Sequence, residues 1–168
     1  SVARMEEFEM FRKVDKPLEG EDLYEFVAET IVPHDARRIL FLVIAPNQED
    51  EEYRVFALDD SSLVFGRRTF RFVNLTQQMI SVEFAGETQQ VDVDGVVVME
   101  SNVDEKGGFV PCIMRDPEGG TIYGTRLFAQ PNGREDVFIR PSPIKGRKAP
   151  SIKFISQFIA IAPVENKQ

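Results

Sequence analysis

The sequence predicts an all-β protein whose main domain is a β-sandwich or barrel, and three observations support this fold class. Apolar and polar residues alternate in several short segments, for example where Phe70 and Phe72 flank Arg71, as on strands with one buried face. Gly, Pro, Asn and Asp mark turns about every ten residues, which is typical of sandwiches. No regular alternation of strands with helical patterns indicates βαβ units.

Ten short strands are predicted from residue 38 onward, each bounded by turn-forming residues. Their ranges are 38–45, 52–58, 68–75, 79–85, 88–93, 95–100, 109–115, 121–129, 135–140 and 151–161. Pro111 lies inside one of them and cannot donate to a ladder, so that strand is expected to be an edge strand or to carry a bulge.

The stretch Phe65–Val98 is predicted to form an antiparallel meander within one sheet. If the turn at Thr76-Gln77-Gln78 pairs the strands around it, five apolar side chains share one face and meet across the ladder. These are Phe70, Phe72, Ile80, Val82 and Phe84. On this arrangement Phe72→Ala costs ~3–5 kcal/mol, whereas Arg71→Ala and Ser81→Ala cost under ~1 kcal/mol unless their face is also covered.

Two domains are expected: an N-terminal extension over residues 1–37 that packs on the sandwich, and the β-sandwich itself over residues 38–168. In the extension, Val2–Val14 and Glu21–Val32 each fit either a short amphipathic helix or a strand, with extended structure favoured for the second. Ile39–Ala45 is apolar at every position. That pattern predicts a central strand covered on both faces, with the extension as the cover, and residues 52–58 as its hairpin partner.

Composition argues against several classes of partner. The 168 residues carry a net charge of −8, which disfavours nucleic acid and anionic membranes. No apolar run approaches the ~18 residues of a membrane span. The one cysteine, Cys112, excludes an internal disulfide. It lies in an apolar segment and is expected to be a buried small hydrophobe.

No catalytic or cofactor-binding constellation is recognised, so no enzyme, cofactor or catalytic residue is predicted. His34 is the one histidine and is expected in a loop, without the nucleophile that a triad needs. Asp92 and Asp94 resemble part of a calcium loop, although an outer strand face followed by an Asp-Gly turn also explains them. The acidic run Glu49–Glu52 is expected to be solvated.

Two further features of the sequence have both a functional and a structural interpretation. Asn74-Leu75-Thr76 is formally a glycosylation sequon, but it falls inside a predicted strand. Residues 140–153 hold five cations and no acid, namely Arg140, Lys145, Arg147, Lys148 and Lys153. This segment suits docking to an acidic subunit, and it also fits a solvated proline-rich loop.

Four segments resemble the core of small exported β-sandwich proteins of verrucomicrobial-type bacteria. They are Thr69–Thr76 (TFRFVNLT), Ile80–Gly86 (ISVEFAG), Tyr123–Phe128 (YGTRLF) and Arg134–Arg140 with its Val-Phe-Ile. The resemblance implies an immunoglobulin-like antiparallel sandwich, comparable with archaeal-type pilin domains, in an exported envelope or surface protein without catalysis. The sequence departs from pilins in lacking their apolar N-terminal helix.

The expected function is therefore that of a non-enzymatic extracytoplasmic protein acting through protein–protein contacts, as a pilus-like subunit or a cell-surface module. Because the chain starts at Ser1, a processed or truncated precursor is expected. The alternative is a carbohydrate-binding or other small-ligand module. Such modules present exposed aromatic side chains, and this chain has no Trp and three Tyr (Tyr24, Tyr53 and Tyr123).

Overall fold

The structure, a computed structural model, describes residues 6–13, 24–46, 52–144 and 149–159, and their regular secondary structure is all β-strand. The chain divides into two compact units, Ser1–Val64 and Phe65–Gln168. The expected division after residue 37 assigned the next hairpin to the sandwich, whereas the compact units divide after Val64. The prediction of an all-β fold is confirmed.

The first unit contains two antiparallel hairpins. β1 (Glu6–Lys13) pairs with β2 (Tyr24–Val32), and β3 (Ile39–Ile44) pairs with β4 (Arg54–Asp59). For the two N-terminal segments, the described residues confirm the strand interpretation and show no helix. Residues 47–51 of the acidic loop lie outside the described residues.

The expected role of β3 as a central strand is wrong. Among the described residues, β3 has one ladder partner, β4, as the hairpin prediction required. The side chains of Phe41 and Val43 remain 37% and 46% exposed. The N-terminal hairpin does contact β3, because the ring of Phe8 stacks on Phe41 with centroids 4.1 Å apart. The unbroken apolar run Ile39–Ala45 therefore contributes one strand to a two-hairpin unit, and not a central strand of the sandwich.

The second unit is a sandwich of two four-stranded sheets. Its strands are β5 (Thr69–Asn74), β6 (Ile80–Phe84), β7 (Glu87–Val91), β8 (Val96–Glu100), β9 (Gly108–Arg115), β10 (Thr121–Ala129), β11 (Gly133–Arg140) and β12 (Ser151–Phe158). The first sheet has the order β10-β9-β6-β7 and the second β12-β11-β5-β8. All pairs are antiparallel except β11 with β5. Together with β3 and β4 of the first unit, these eight strands correspond to the ten predicted strands.

The predicted single-sheet meander is wrong, because β5 and β6 lie in different sheets. β5 pairs with β8 and β11, whereas β6 pairs with β7 and β9. The connection between them is held by Asn74, whose Oδ1 accepts hydrogen bonds from the backbone N–H and the hydroxyl of Thr76 at 3.0 and 2.7 Å. This local closure lets the chain cross to the other sheet instead of forming a tight hairpin.

The five apolar side chains expected to share one face are all buried, but they meet across the sandwich. The ring of Phe84 in the first sheet lies 4.7 Å from that of Phe70 and 5.5 Å from that of Phe72, both in the second sheet. The core cluster also contains Val91, Met99, Val110, Cys112, Met114, Leu127, Ala129, Val137 and Ile139. Burial of each Phe contributes about 2–3 kcal/mol.

Pro111 was expected in an edge strand or a bulge, and this is confirmed for the part of β9 that contains it. β9 pairs with β10 along its length, while its ladder with β6 begins only at Cys112. Pro111 therefore lies where β9 has no second neighbour in the sheet, and its missing N–H costs no ladder bond.

Candidate functional site

The two lateral edges of the sandwich differ in length and in chemistry. β5 faces β6 through the Phe70–Phe84 contact, and β7 contacts β8. The two sheet orders therefore run in the same direction. One side of the sandwich, here the long edge, is formed by β10 and β12, of nine and eight residues; the other, the short edge, is formed by β7 and β8, of five each.

β12 is the more regular strand of the long edge. It pairs with β11 without a register shift, it contains no proline, and Lys153 is its one charged residue. Phe154, Ile155 and Phe158 are 38%, 46% and 72% exposed. Among the described residues, no strand pairs with the outward side of β12. The strand therefore presents backbone groups and apolar side chains together.

The direction of the backbone groups of β12 follows from one hydrogen bond. The N–H of Ile159 donates to the carbonyl of Asn132, just before β11, at 2.9 Å. In an antiparallel ladder the N–H and C=O of one residue point to the same side, and successive residues alternate. The odd-numbered residues of β12 thus bond β11, and Ile152, Phe154, Ser156 and Phe158 direct their backbone groups outward.

Side-chain hydrogen bonds fix β12 against β11. Gln157 accepts from the Nε and Nη2 of Arg134 at 3.1 and 2.6 Å and donates its Nε2 to Asp136 at 3.0 Å. The hydroxyl of Ser156 donates to Glu135 at 2.7 Å. These contacts hold β12 in one register against β11, so that the same backbone groups and side chains always face outward.

Gln157 belongs to a buried polar network on the face of the second sheet that points away from the first. Arg71 donates its Nε to Asp136 at 2.6 Å, and each side chain is 1% exposed. The buried ring of Phe65 lies 4.2 Å from the Arg71 guanidinium and 4.5 Å from that of Arg134. Such an ion pair contributes little net stability, yet removal of one partner leaves a buried charge and costs about 3–5 kcal/mol.

β10 and its neighbour β9 carry an exposed aromatic pair. Phe109 and Phe128 lie opposite each other in the ladder, and their rings make an edge-to-face contact with centroids 5.1 Å apart. They are 69% and 44% exposed. A register shift near Thr121 interrupts the start of β10, and irregularities of this kind limit pairing with further strands.

The short edge combines a polar strand, β7, with an apolar strand, β8, whose sequence is VVVME. Glu87, Thr88, Gln89 and Gln90 of β7 are exposed, and β7 and β8 have five residues each. Short, charged or polar edge strands are the usual protection against edge-to-edge association. In the part of the chain that the structure describes, the short edge is thus limited by the length of its two strands and by the polarity of β7, whereas β12 on the long edge has neither protection.

The structure bears on the individual residues that the sequence singled out. Cys112 is buried, as expected, and burial raises the pKa of its thiol to about 12. His34 lies exposed in the loop after β2, as predicted. Asn74 is fully buried, and its Nδ2 donates to the carbonyls of Gln78, Val91 and Asp92 at 2.8–3.0 Å. In the folded protein this amide is therefore not presented for glycosylation.

The other candidate ligand and docking residues are not brought together. No group of three or more His, Cys, Asp or Glu side chains in the described part of the chain could hold a metal ion. Asp92 and Asp94 lie in the turn between β7 and β8, where Asp94 adopts φ 58°. Arg140 and Lys153 of the cationic segment are exposed, and the other three cations lie outside the described residues.

Sequence reasoning missed the long edge and the buried network. The edge depends on which strand ends each sheet, which periodicity does not indicate. A clue to the network was available, because Arg71 and Asp136 each adjoin runs of apolar residues. Opposite charges within two such strands favour a buried pair.

No known protein-family model matches the chain, and comparison with curated proteins gives no significant match. In the residues that the structure covers, no helix is long and apolar enough to cross a membrane.

Proposed function

We propose that the protein is a non-catalytic, extracytoplasmic β-sandwich that acts through protein–protein contacts, as a pilus-like subunit or a cell-surface structural module. The observation that carries this proposal is the asymmetry of the two lateral edges. The long edge combines a regular, eight-residue strand with three exposed apolar side chains, whereas the two strands of the short edge have five residues each and one of them, β7, is polar.

An open edge strand offers a template for another strand. Its outward N–H and C=O groups bond the incoming backbone, and alternate side chains supply specificity. On β12 the apolar side chains Phe154 and Phe158 lie on the same face of the sheet, beside Val137 and Gly133 of β11. An added strand would cover both, so backbone pairing and apolar burial would occur together.

The export and the immunoglobulin-like classification in this proposal are supported by the resemblance of four segments to exported sandwich proteins. The two-layer arrangement of four-stranded sheets is compatible with that class. The parallel pairing of β11 with β5 departs from the wholly antiparallel sandwich that the resemblance implies.

Light scattering across a concentration series, with electron microscopy of the concentrated sample, tests the proposal. We expect the average mass to rise with concentration, or a specific protein to be recovered when the chain is used as bait in envelope extracts. A chain that stays monomeric and recovers no partner from those extracts would contradict the proposed function.

One observation favours a second candidate, a binding site for a carbohydrate or another small ligand. Phe109 and Phe128 form an exposed aromatic pair on a sheet face, with Arg126 exposed two residues before Phe128. Aromatic faces with a nearby polar group are typical of ligand sites. A glycan array and a thermal-shift screen test this candidate, and Phe109→Ala should abolish any response while Phe154→Ala leaves it unchanged.

A further inference from the structure

The edge strand β12 has a sequence and a backbone orientation that match a second copy of itself. We propose that β12 pairs antiparallel with β12 of another molecule around a two-fold axis at Ile155. This pairing would join two four-stranded second sheets into one continuous sheet. The inference rests on the proposed function and names its partner, a second copy of this chain.

The backbone restricts the possible registers. The outward N–H and C=O groups of β12 belong to even-numbered residues, as the bond from Ile159 to Asn132 shows. Two such strands can exchange hydrogen bonds only where an even residue lies opposite an even residue. An axis at Ile155 meets this condition, since it places Phe154 opposite Ser156 and Ile152 opposite Phe158.

The side chains are also compatible with this register. Ile152 lies opposite Phe158 of the second copy, on the face that continues the core of each sandwich, and apolar cross-strand pairs of this kind stabilise a sheet. Ile155, on the other face, lies opposite itself. Lys153 is the one charge on the strand and lies opposite Gln157, so no like charges meet although the whole chain carries −8.

The other sheet edges lack this combination. β10 is interrupted by a register shift near Thr121, and β7 and β8 offer five residues each. β7 would bring exposed Glu87 and three polar residues to the contact. β8 also has an uninterrupted register, apolar side chains and a single charge, Glu100. Among the described edge strands of the sandwich, only β12 extends these three properties over eight residues, which favours self-pairing at this edge.

Disulfide trapping tests the register directly. Residues opposite each other in a non-hydrogen-bonded pair have Cα atoms about 4.5 Å apart, within the range that a disulfide spans. Ile155→Cys should therefore form a covalent dimer under mild oxidation. In the same register, two copies of residue 153 are about 13 Å apart, four residues along a strand, so the matched control Lys153→Cys should stay largely monomeric. Cys112 is fully buried and does not contribute.

A second variant tests the same contact without disulfide cross-linking. Ile155→Lys places two lysines directly opposite each other, and like charges in such a pair are unfavourable. We expect the dimer dissociation constant from analytical ultracentrifugation to rise by about tenfold or more. Arg126→Ala, on the exposed face of β10, should leave it unchanged.

The outcomes separate this inference from the proposed function. Selective trapping of Ile155→Cys together with weaker association of Ile155→Lys supports the β12 pairing. Equal trapping of both cysteine variants, or a dimer unaffected by Ile155→Lys, overturns the inference and leaves the proposed function standing through another surface. A wild-type chain that is monomeric but recovers a foreign protein from envelope extracts also overturns it, while the proposed function survives.

Discussion

The two faces of β5, in the middle of the second sheet, are equally buried but chemically different. On the face toward the first sheet, Phe72 is 0% exposed and packs against Phe84; on the opposite face, Arg71 is 1% exposed and bonds Asp136. The two residues are neighbours on one strand. The two faces of β5 therefore do not differ in burial. They differ in the kind of interaction, which is apolar packing on one face and an ion pair on the other.

The two faces specify the fold in different ways. The apolar face contributes in proportion to the area it removes from water, so many sequences of similar volume would satisfy it. The polar face works only if each donor and charge finds its partner, because an incomplete buried network is costly. We interpret the apolar face as the main source of stability and the polar face as a constraint on which strands pair.

The largest expected effect is at the apolar face. Phe72→Ala removes a ring that contacts Phe84 across the sandwich, and the free energy of unfolding should fall by about 4 kcal/mol, cavity included. Denaturant melts measure this loss. Ser81→Ala, on the half-buried outer side of β6, is the control and should cost under about 1 kcal/mol. Equal losses would show that the two positions do not differ in packing as described.

The next effect tests the polar face. The small cost expected for Arg71 from the sequence applied only to an uncovered face, and in the structure both faces of β5 are buried. Arg71→Met leaves Asp136 buried without its ion-pair partner, so the free energy of unfolding should fall by about 3 kcal/mol. The double change of Arg71→Met with Asp136→Leu should recover part of that loss, because the buried carboxylate that lost its ion-pair partner is then also removed. Urea melts of the two single variants and the double variant give the coupling energy. Additive losses would mean that the ion pair does not couple the strands.

The sequence was sufficient to locate strands, and insufficient to pair them. Ten strands were found because alternation and turns are local signals, as at Asp94-Gly95 and Pro131-Asn132-Gly133. Alternation shows which side chains share a face but carries no information about which strand is the neighbour. The pairing of β5 with β6 was therefore predicted wrongly, although the five residues that they contribute to the core were identified correctly.

The candidate site was harder to predict than the fold. Arg71 and Asp136 are separated by 65 positions, so no local pattern joins them. The position of β12 at the end of a sheet depends on the whole strand order. Both features are consequences of topology, and composition and spacing do not determine topology.

A smaller effect is expected at the connection between the sheets. Asn74→Ala removes the hydrogen bonds to the carbonyls of Val91 and Asp92, which join the end of β5 to the turn after β7. Because the bond to the carbonyl of Val91 is buried, its loss leaves a buried acceptor without this donor, and the free energy of unfolding should fall by about 2 kcal/mol. Thermal melts measure it. Gln89→Ala, which removes an exposed side-chain amide of β7, is the control, and an equal loss there would show that the bonds of Asn74 contribute nothing particular.

The smallest effect concerns the β6–β7 hairpin, which contains the polar strand of the short edge. Ala85 and Gly86 both have positive φ, 54° and 86°, as a type I′ turn requires, and Asn-Gly is the preferred pair for such turns. Alanine carries a steric penalty in this region that asparagine tolerates better. Ala85→Asn should therefore raise the free energy of unfolding by about 0.5 kcal/mol, measured by urea melts. It leaves both buried faces of the second sheet unaltered.

The matched control for this turn is Gly86→Ala. A Cβ at this position meets no atom within 4 Å, so the substitution introduces no clash and tests the backbone conformation alone. With φ at 86°, it should lower the free energy of unfolding by about 1 kcal/mol. A gain for Ala85→Asn with a loss for Gly86→Ala would establish that the turn conformation, and not side-chain packing, limits the stability of this hairpin. Losses in both variants would instead assign the role of Ala85 to its packing against the core cluster.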